Sequence, residues 1–226
     1  VPLREDFTVS VSDYADKAGT VFLANPNAPT GIALNTESIA ELALQNPARL
    51  VVVDEAYVDF GAESAVKLLK DCKNIAVVRT FSKSRSLAGG RLGFTIASKE
   101  IIADLEKVRN SFNPYNVNSV TLAMGAASIA DDEYFQKTIQ TVIRNRALLT
   151  EGLKKSGFKV LDSRANFIFA SPPDKDGKRL YSSLRERGVL VRYWDEARIS
   201  EFCRISVGDE KSVKTLLACV AEIYGR

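Results

Sequence analysis

The sequence predicts an α/β protein, with a largely parallel sheet in its first half and a small α+β unit with an antiparallel sheet in its second. Three observations carry this. Short apolar, β-branched segments alternate with helical periodicities up to about residue 100. Several of these segments end in clusters of polar and turn-forming residues. Beyond Gly157 the pattern changes to short strands divided by one helix and closed by another.

Taken in order, "GTVFLA" is a strand that ends in "NPNAPTG", where two prolines and a glycine forbid regular structure. "NTESIAELALQN" follows as a helix, with Thr36 as its cap and Ile39, Leu42 and Ala43 on one face. "RLVVVDEAYVDF" is a buried strand with its acids at the far end, "ESAVKLLKDCKN" is helical, and "IAVVRT" and "RLGFTIAS" are strands. Such alternation implies a sheet covered on both faces. "KEIIADLEKVRNSF" places Ile101, Ile102, Leu105 and Val108 on one helical face. After "NPYNVN" come two more helices, "SVTLAMGAASIA" and the long "DEYFQKTIQTVIRNRALLTEGLKKSG". The remainder reads as strands "FKVLDS" and "NFIFAS", helix "GKRLYSSLRERG", strands "VLVRYW" and "FCRISVG", and the helix "DEKSVKTLLACVAEIYG". The expected division is 1–145 and 146–226, with the boundary inside the long helix.

Composition narrows the chemistry. A net charge of +3 over 226 residues, without a basic stripe, gives no sign of a nucleic-acid partner. No run reaches the ~18 apolar residues of a membrane span. Cys72, Cys203 and Cys219 occur singly, which argues against a disulfide framework or a zinc ribbon and for a reducing, cytoplasmic setting. The chain has no histidine, so Ser-His and Cys-His pairs, imidazole acid-base catalysis and most zinc sites are excluded, and no metal is expected. Lys, Asp, Tyr, Ser, Thr and Arg remain.

Those residue types gather at three strand ends: Asn25 and Asn27, then Asp54 and Tyr57, then Thr80, Ser82 and Lys83. Parallel strands bring such ends to one rim, where open α/β sheets bind ligands. The inventory suits pyridoxal phosphate, which needs a lysine for its aldehyde and a carboxylate for its protonated ring nitrogen. It also needs donors for its phenolate oxygen, and hydroxyls with an arginine for its phosphate. Singly, each residue has an ordinary structural explanation: Asp54 as a cap or salt-bridge partner, Tyr57 as a rim aromatic, Arg91 as a surface arginine.

"NPNAPTG", "VVVDEAYVDF", "TFSKSRSLAGGRLGF" and "CRISVG" occur in the order and approximate spacing of the fold-type I pyridoxal-phosphate aminotransferases, and the chain resembles that family over nearly its whole length. Within it, "NPYNVNS" and the residues around the lysine are similar to the histidinol-phosphate aminotransferases. The resemblance implies that Lys83 holds the cofactor aldehyde and shuttles the substrate proton, that Asp54 faces the ring nitrogen, and that Tyr57 donates to the phenolate oxygen. It implies that Thr80, Ser82 and Arg91 bind the cofactor phosphate. Arg204, with Asn166 beside it, would clamp a substrate carboxylate; Arg192 would reach a substrate phosphate, and Tyr115 would line the site. The asparagine usual before "PTG" is Ala28 here, and Asn27 is expected to take its role.

The match begins just before the "NPNAPTG" strand, so the expectation is a truncated large domain lacking the N-terminal part, with apolar surface exposed and little or no activity in the isolated chain. The implied reaction is transamination of a phosphorylated amino compound, histidinol phosphate, with a 2-oxo acid, in a homodimeric parent enzyme. Threonine-phosphate decarboxylation, another transamination on the same scaffold, and the effector-binding half of a transcription regulator are the alternatives.

Overall fold

The structure, a computed structural model, describes residues 1–225. Its first sheet is built from the apolar segments β1 (Val21–Ala24), β2 (Val51–Asp54) and β3 (Ile75–Thr80), which run parallel, and β4 (Gly93–Ala97), which returns antiparallel to β3. Helix α1 (Thr36–Leu44) makes the crossover from β1 to β2. The register aligns Val21, Val51 and Ile75, so every second residue shares a face. Val21, Leu23, Val51, Val53, Ile75 and Val77 form one face, buried against Ile39 and Leu42 of α1 and against the turn that carries Ala65.

Three local expectations change. The side chain that caps α1 is Asn35, whose Oδ1 accepts from Ser38 N at 2.8 Å; Thr36 is buried one residue further in and donates to Glu63 Oε2 at 2.9 Å. The segment read as helical after residue 63 is a short 3₁₀ helix, Ala65–Lys70, not an α-helix. Its first amide is held by Glu55 Oε1 at 2.6 Å, a tertiary contact that no local periodicity encodes. The sheet is also not covered on both faces. Phe22, on the opposite face, is 78% exposed, and Ala24 and Asp54 beside it are exposed.

Helix α2 (Lys99–Phe112) has the expected apolar face, yet none of its residues is buried: Val108 is 67% and Phe112 90% exposed. Helix α3 (Ser119–Ala130) likewise exposes Val120, Leu122 and Ile129. Exposed apolar surface, expected from the sequence, is therefore present on both helices.

Helix α4 (Asp132–Lys155) leads into the second unit. This contains β5 (Lys159–Val160), β6 (Phe167–Ser171), α5 (Gly177–Glu186), β7 (Arg192–Tyr193), β8 (Cys203–Ser206) and α6 (Glu210–Tyr224). The antiparallel sheet has the order β5-β6-β8-β7, with β5 and β7 shorter than the apolar runs around them. Leu149 and Leu153 of α4, Leu180 and Leu184 of α5 and Val213 and Val220 of α6 share its core.

Buried polar contacts lock the units together. Arg146 of α4, 8% exposed, donates through Nη1 to Phe60 O at 2.8 Å and Ala165 O at 2.6 Å. Burial lowers its pKa. Gly31, at φ +76°, accepts from Arg164 N at 2.8 Å; a Cβ there would collide with Ser163, 2.6 Å from that residue's Cβ. Among the described residues no helix is long and apolar enough to cross a membrane.

Candidate active site

The carboxyl ends of β1, β2 and β3 lie side by side because the strands are parallel and in register. Asp54 pairs with Val78, and Thr80 follows two residues later, so both project from the uncovered face that carries Phe22. The Asp54 carboxylate is exposed and bonded locally, accepting from Ala56 N at 3.0 Å. Lys83 lies beyond β3 on a short loop folded on itself. Ser82 N donates to Thr80 Oγ1 at 3.0 Å, and Leu87 N donates to Phe81 O at 3.0 Å.

Lys83 is exposed, with Nζ 5.5 Å from the centroid of the half-buried Tyr57 ring. Tyr57 meets Phe167 of β6 edge to face at 5.1 Å, and the Arg204 guanidinium stands 5.2 Å from the Phe167 ring. Arg204 also lies 5.5 Å from the Trp194 ring, which Arg192 approaches at 5.3 Å. The β7–β8 register sets Arg192 directly opposite Arg204. Side chains from both sheets thus form one continuous chain from Lys83 to Arg192. Two neighbouring guanidinium groups held on aromatic faces, with no carboxylate salt-bridged to either among the described residues, favour an anionic ligand.

The other expected residues sit around or outside this chain. Asn27 is half-buried in the loop after β1, where its Oδ1 accepts from Thr30 Oγ1 at 2.9 Å. Asn25 is a staple: its side chain pairs with both N and O of Leu34. Thr80 Oγ1 donates to Leu92 O at 3.4 Å, and Arg91, exposed at φ +53°, donates to Ala88 O at 3.1 Å. Asn166 precedes β6, and its carbonyl accepts from Val207 N at 2.9 Å. Tyr115 is 91% exposed between α2 and α3 and is not brought to the aromatic chain. Phe167 and Trp194 were not singled out from the sequence, because an aromatic in an apolar strand has no local mark that separates core from site.

A sheet end bearing an exposed lysine, with arginines supplied by a second, antiparallel unit, is the architecture of the fold-type I transferases. The crystal structure of histidinol-phosphate aminotransferase from Sinorhizobium meliloti, in complex with pyridoxal-5'-phosphate, superposes with a TM-score of 0.86 at 26% identity, over 100% of this chain and 63% of that one. Residues 1–220 match the family described as aminotransferase class I and II, and the chain belongs to that family. It is 49% identical over 215 residues, 95% of its length, to a histidinol-phosphate aminotransferase of Acinetobacter baumannii, and 44% identical over 222 residues, 98% of its length, to one of Lactococcus lactis subsp. cremoris. The chain spans 60% and 62% of those two curated relatives.

Family membership implies pyridoxal phosphate, and the donor set fits it. An exposed amine, an exposed carboxylate on the same rim and hydroxyls at Thr80 and Ser82 lie together, while Arg91 donates only to a backbone carbonyl. Among the described residues no group of three or more His, Cys, Asp or Glu could hold a metal ion.

Proposed function

We propose that the intact enzyme transaminates histidinol phosphate with 2-oxoglutarate, yielding imidazole acetol phosphate and glutamate, and that this chain supplies its lysine and its substrate arginines. The names of the curated relatives support the substrate. The single geometric observation behind the reading is the contact chain from Lys83 through Tyr57 and Phe167 to Arg204, which sets an amine and an anion clamp at two ends of one surface.

When bound, pyridoxal phosphate supplies an aldehyde to carry the amino group and a ring that withdraws electrons from the substrate Cα. Lys83 Nζ would hold the cofactor and, once released, would take the substrate Cα proton and pass it to the cofactor carbon that bore the aldehyde. Asp54 keeps the ring nitrogen protonated. The Tyr57 hydroxyl and Asn27 Nδ2 donate to the phenolate oxygen; Asn27 Oδ1 is already engaged with Thr30. Thr80, Ser82 and Arg91 bind the cofactor phosphate, the planar fork of Arg91 suiting that geometry. Arg204 and Asn166 orient a substrate carboxylate, Arg192 a substrate phosphate, and Tyr115 lines the approach.

The proposed division is a partial large domain at 1–145 and a small domain at 146–226, supported by the two separate sheets and their separate cores. The proposed setting is a cytoplasmic homodimer, a reducing compartment being supported by three free thiols. The isolated 226-residue chain is expected to turn over slowly or not at all.

The test is to add pyridoxal phosphate, reduce with borohydride and map the adduct by peptide mass. Lys83 is expected to be the dominant site, and Lys83→Ala to lose it; undiminished fixation in Lys83→Ala overturns the assignment. Assays of the full-length enzyme with histidinol phosphate and with threonine phosphate decide the substrate.

A further inference from the structure

Glu55 is 2% exposed and carries a charge that the proposed reaction does not use. Its Oε1 accepts from Ala65 N at 2.6 Å, and its Oε2 from Ser64 Oγ at 2.8 Å and Arg79 Nε at 3.1 Å. Arg79 continues through Nη1 to Asp59 Oδ1 at 3.3 Å, and Asp59 Oδ2 accepts from Ser84 Oγ at 2.5 Å. Ser84 is 3% exposed. Three members adjoin proposed site residues: Glu55 follows Asp54, Asp59 lies two past Tyr57, and Ser84 follows Lys83.

We infer that the Glu55–Arg79–Asp59–Ser84 relay is a positioning device that fixes the Lys83 amine relative to Asp54 and Tyr57. The hydrogen bonds from Ser82 N to Thr80 and from Leu87 N to Phe81 fold the lysine loop on itself and leave its placement against the β2 end open. Among the described residues, Ser84 Oγ to Asp59 Oδ2 is the hydrogen bond that ties residues 81–87 to the segment after β2. A carboxylate can only accept, so the Ser84 hydroxyl has one orientation. Such a charge-assisted bond is stronger than a neutral one. Asp59 is itself held by Arg79, and Arg79 by a fully buried carboxylate, so the anchor is rigid to its root. With Ser84 pinned inward, Lys83 faces outward over Tyr57. These are positioning residues; none is assigned a contact with substrate.

The inference rests on the cofactor reading above, and its test separates the two. The 226-residue chain is treated with pyridoxal phosphate and borohydride, and fixation at Lys83 is measured against the exposed Lys137 of the same molecule. Ser84→Ala and Asp59→Asn are each expected to lower the Lys83:Lys137 ratio about tenfold. The double variant should fall no further than either single, as coupled residues do, and Ser84→Thr, which keeps the hydroxyl, should retain the ratio. Amide hydrogen exchange in residues 81–87 should rise about tenfold in Ser84→Ala while α1 and α6 stay unchanged. An unaltered ratio together with unaltered exchange overturns the inference, as does a rise shared by α1 and α6, which would mark general loosening. If the parent chain shows no preference for Lys83 over Lys137, the cofactor reading fails, and the exchange measurement alone decides the anchor.

Discussion

Asp54 and Glu55 are adjacent acids with opposite fates, because successive residues at a strand end point to opposite sides. Asp54 reaches the rim and keeps a free carboxylate surface; Glu55 turns inward, where only three hydrogen bonds make a buried charge tolerable. The pair therefore separates site from scaffold. Glu55→Ala leaves Arg79 without its buried partner and should cost about 3–5 kcal/mol in chemical denaturation. Asp54→Ala should stay within about 0.5 kcal/mol of the parent chain. Equal losses at the two positions would refute the separation. The sequence marked Asp54 by the apolar run before it, whereas nothing local marked Glu55, whose partners are Ser64, Ala65 and Arg79.

At the scale of elements, the sequence carried what depends on neighbours within a turn or two. All three parallel strands were legible as short apolar runs, and α1 was legible from Ile39, Leu42 and Ala43, each fully buried. Its cap was off by one residue, since Asn35 and Thr36 are both acceptable cap types and the contact to Glu63 makes the choice. Asn35→Ala should destabilise the chain by about 1 kcal/mol in thermal or denaturant unfolding; no change would mean that the observed cap bond contributes nothing. Helix α2 shows the converse limit. Its amphipathic spacing specified a helix correctly, but burial of that face needs a partner surface, and Leu105 and Val108 are 47% and 67% exposed.

At the scale of the whole molecule, Arg146 is a principal joint between the two sheets. One guanidinium nitrogen satisfies carbonyls 86 residues upstream and 19 downstream, and no carboxylate salt bridge accompanies it among the described residues. Arg146→Met should leave the Phe60 and Ala165 carbonyls without that donor and lower stability by about 2–3 kcal/mol. A denaturation midpoint unmoved by this change would show that water replaces the guanidinium without loss.

The sequence by itself determined the order of strands and helices, the fold class, and the chemical inventory left by the absence of histidine, because those follow from composition and from periodicities of two or 3.6 residues. Only the tertiary structure brought Tyr57 against Phe167 and the lysine loop onto Asp59. It alone left the Phe22 face of the sheet open. Contacts between residues far apart in the chain depend on how whole elements pack, and local patterns do not encode that packing.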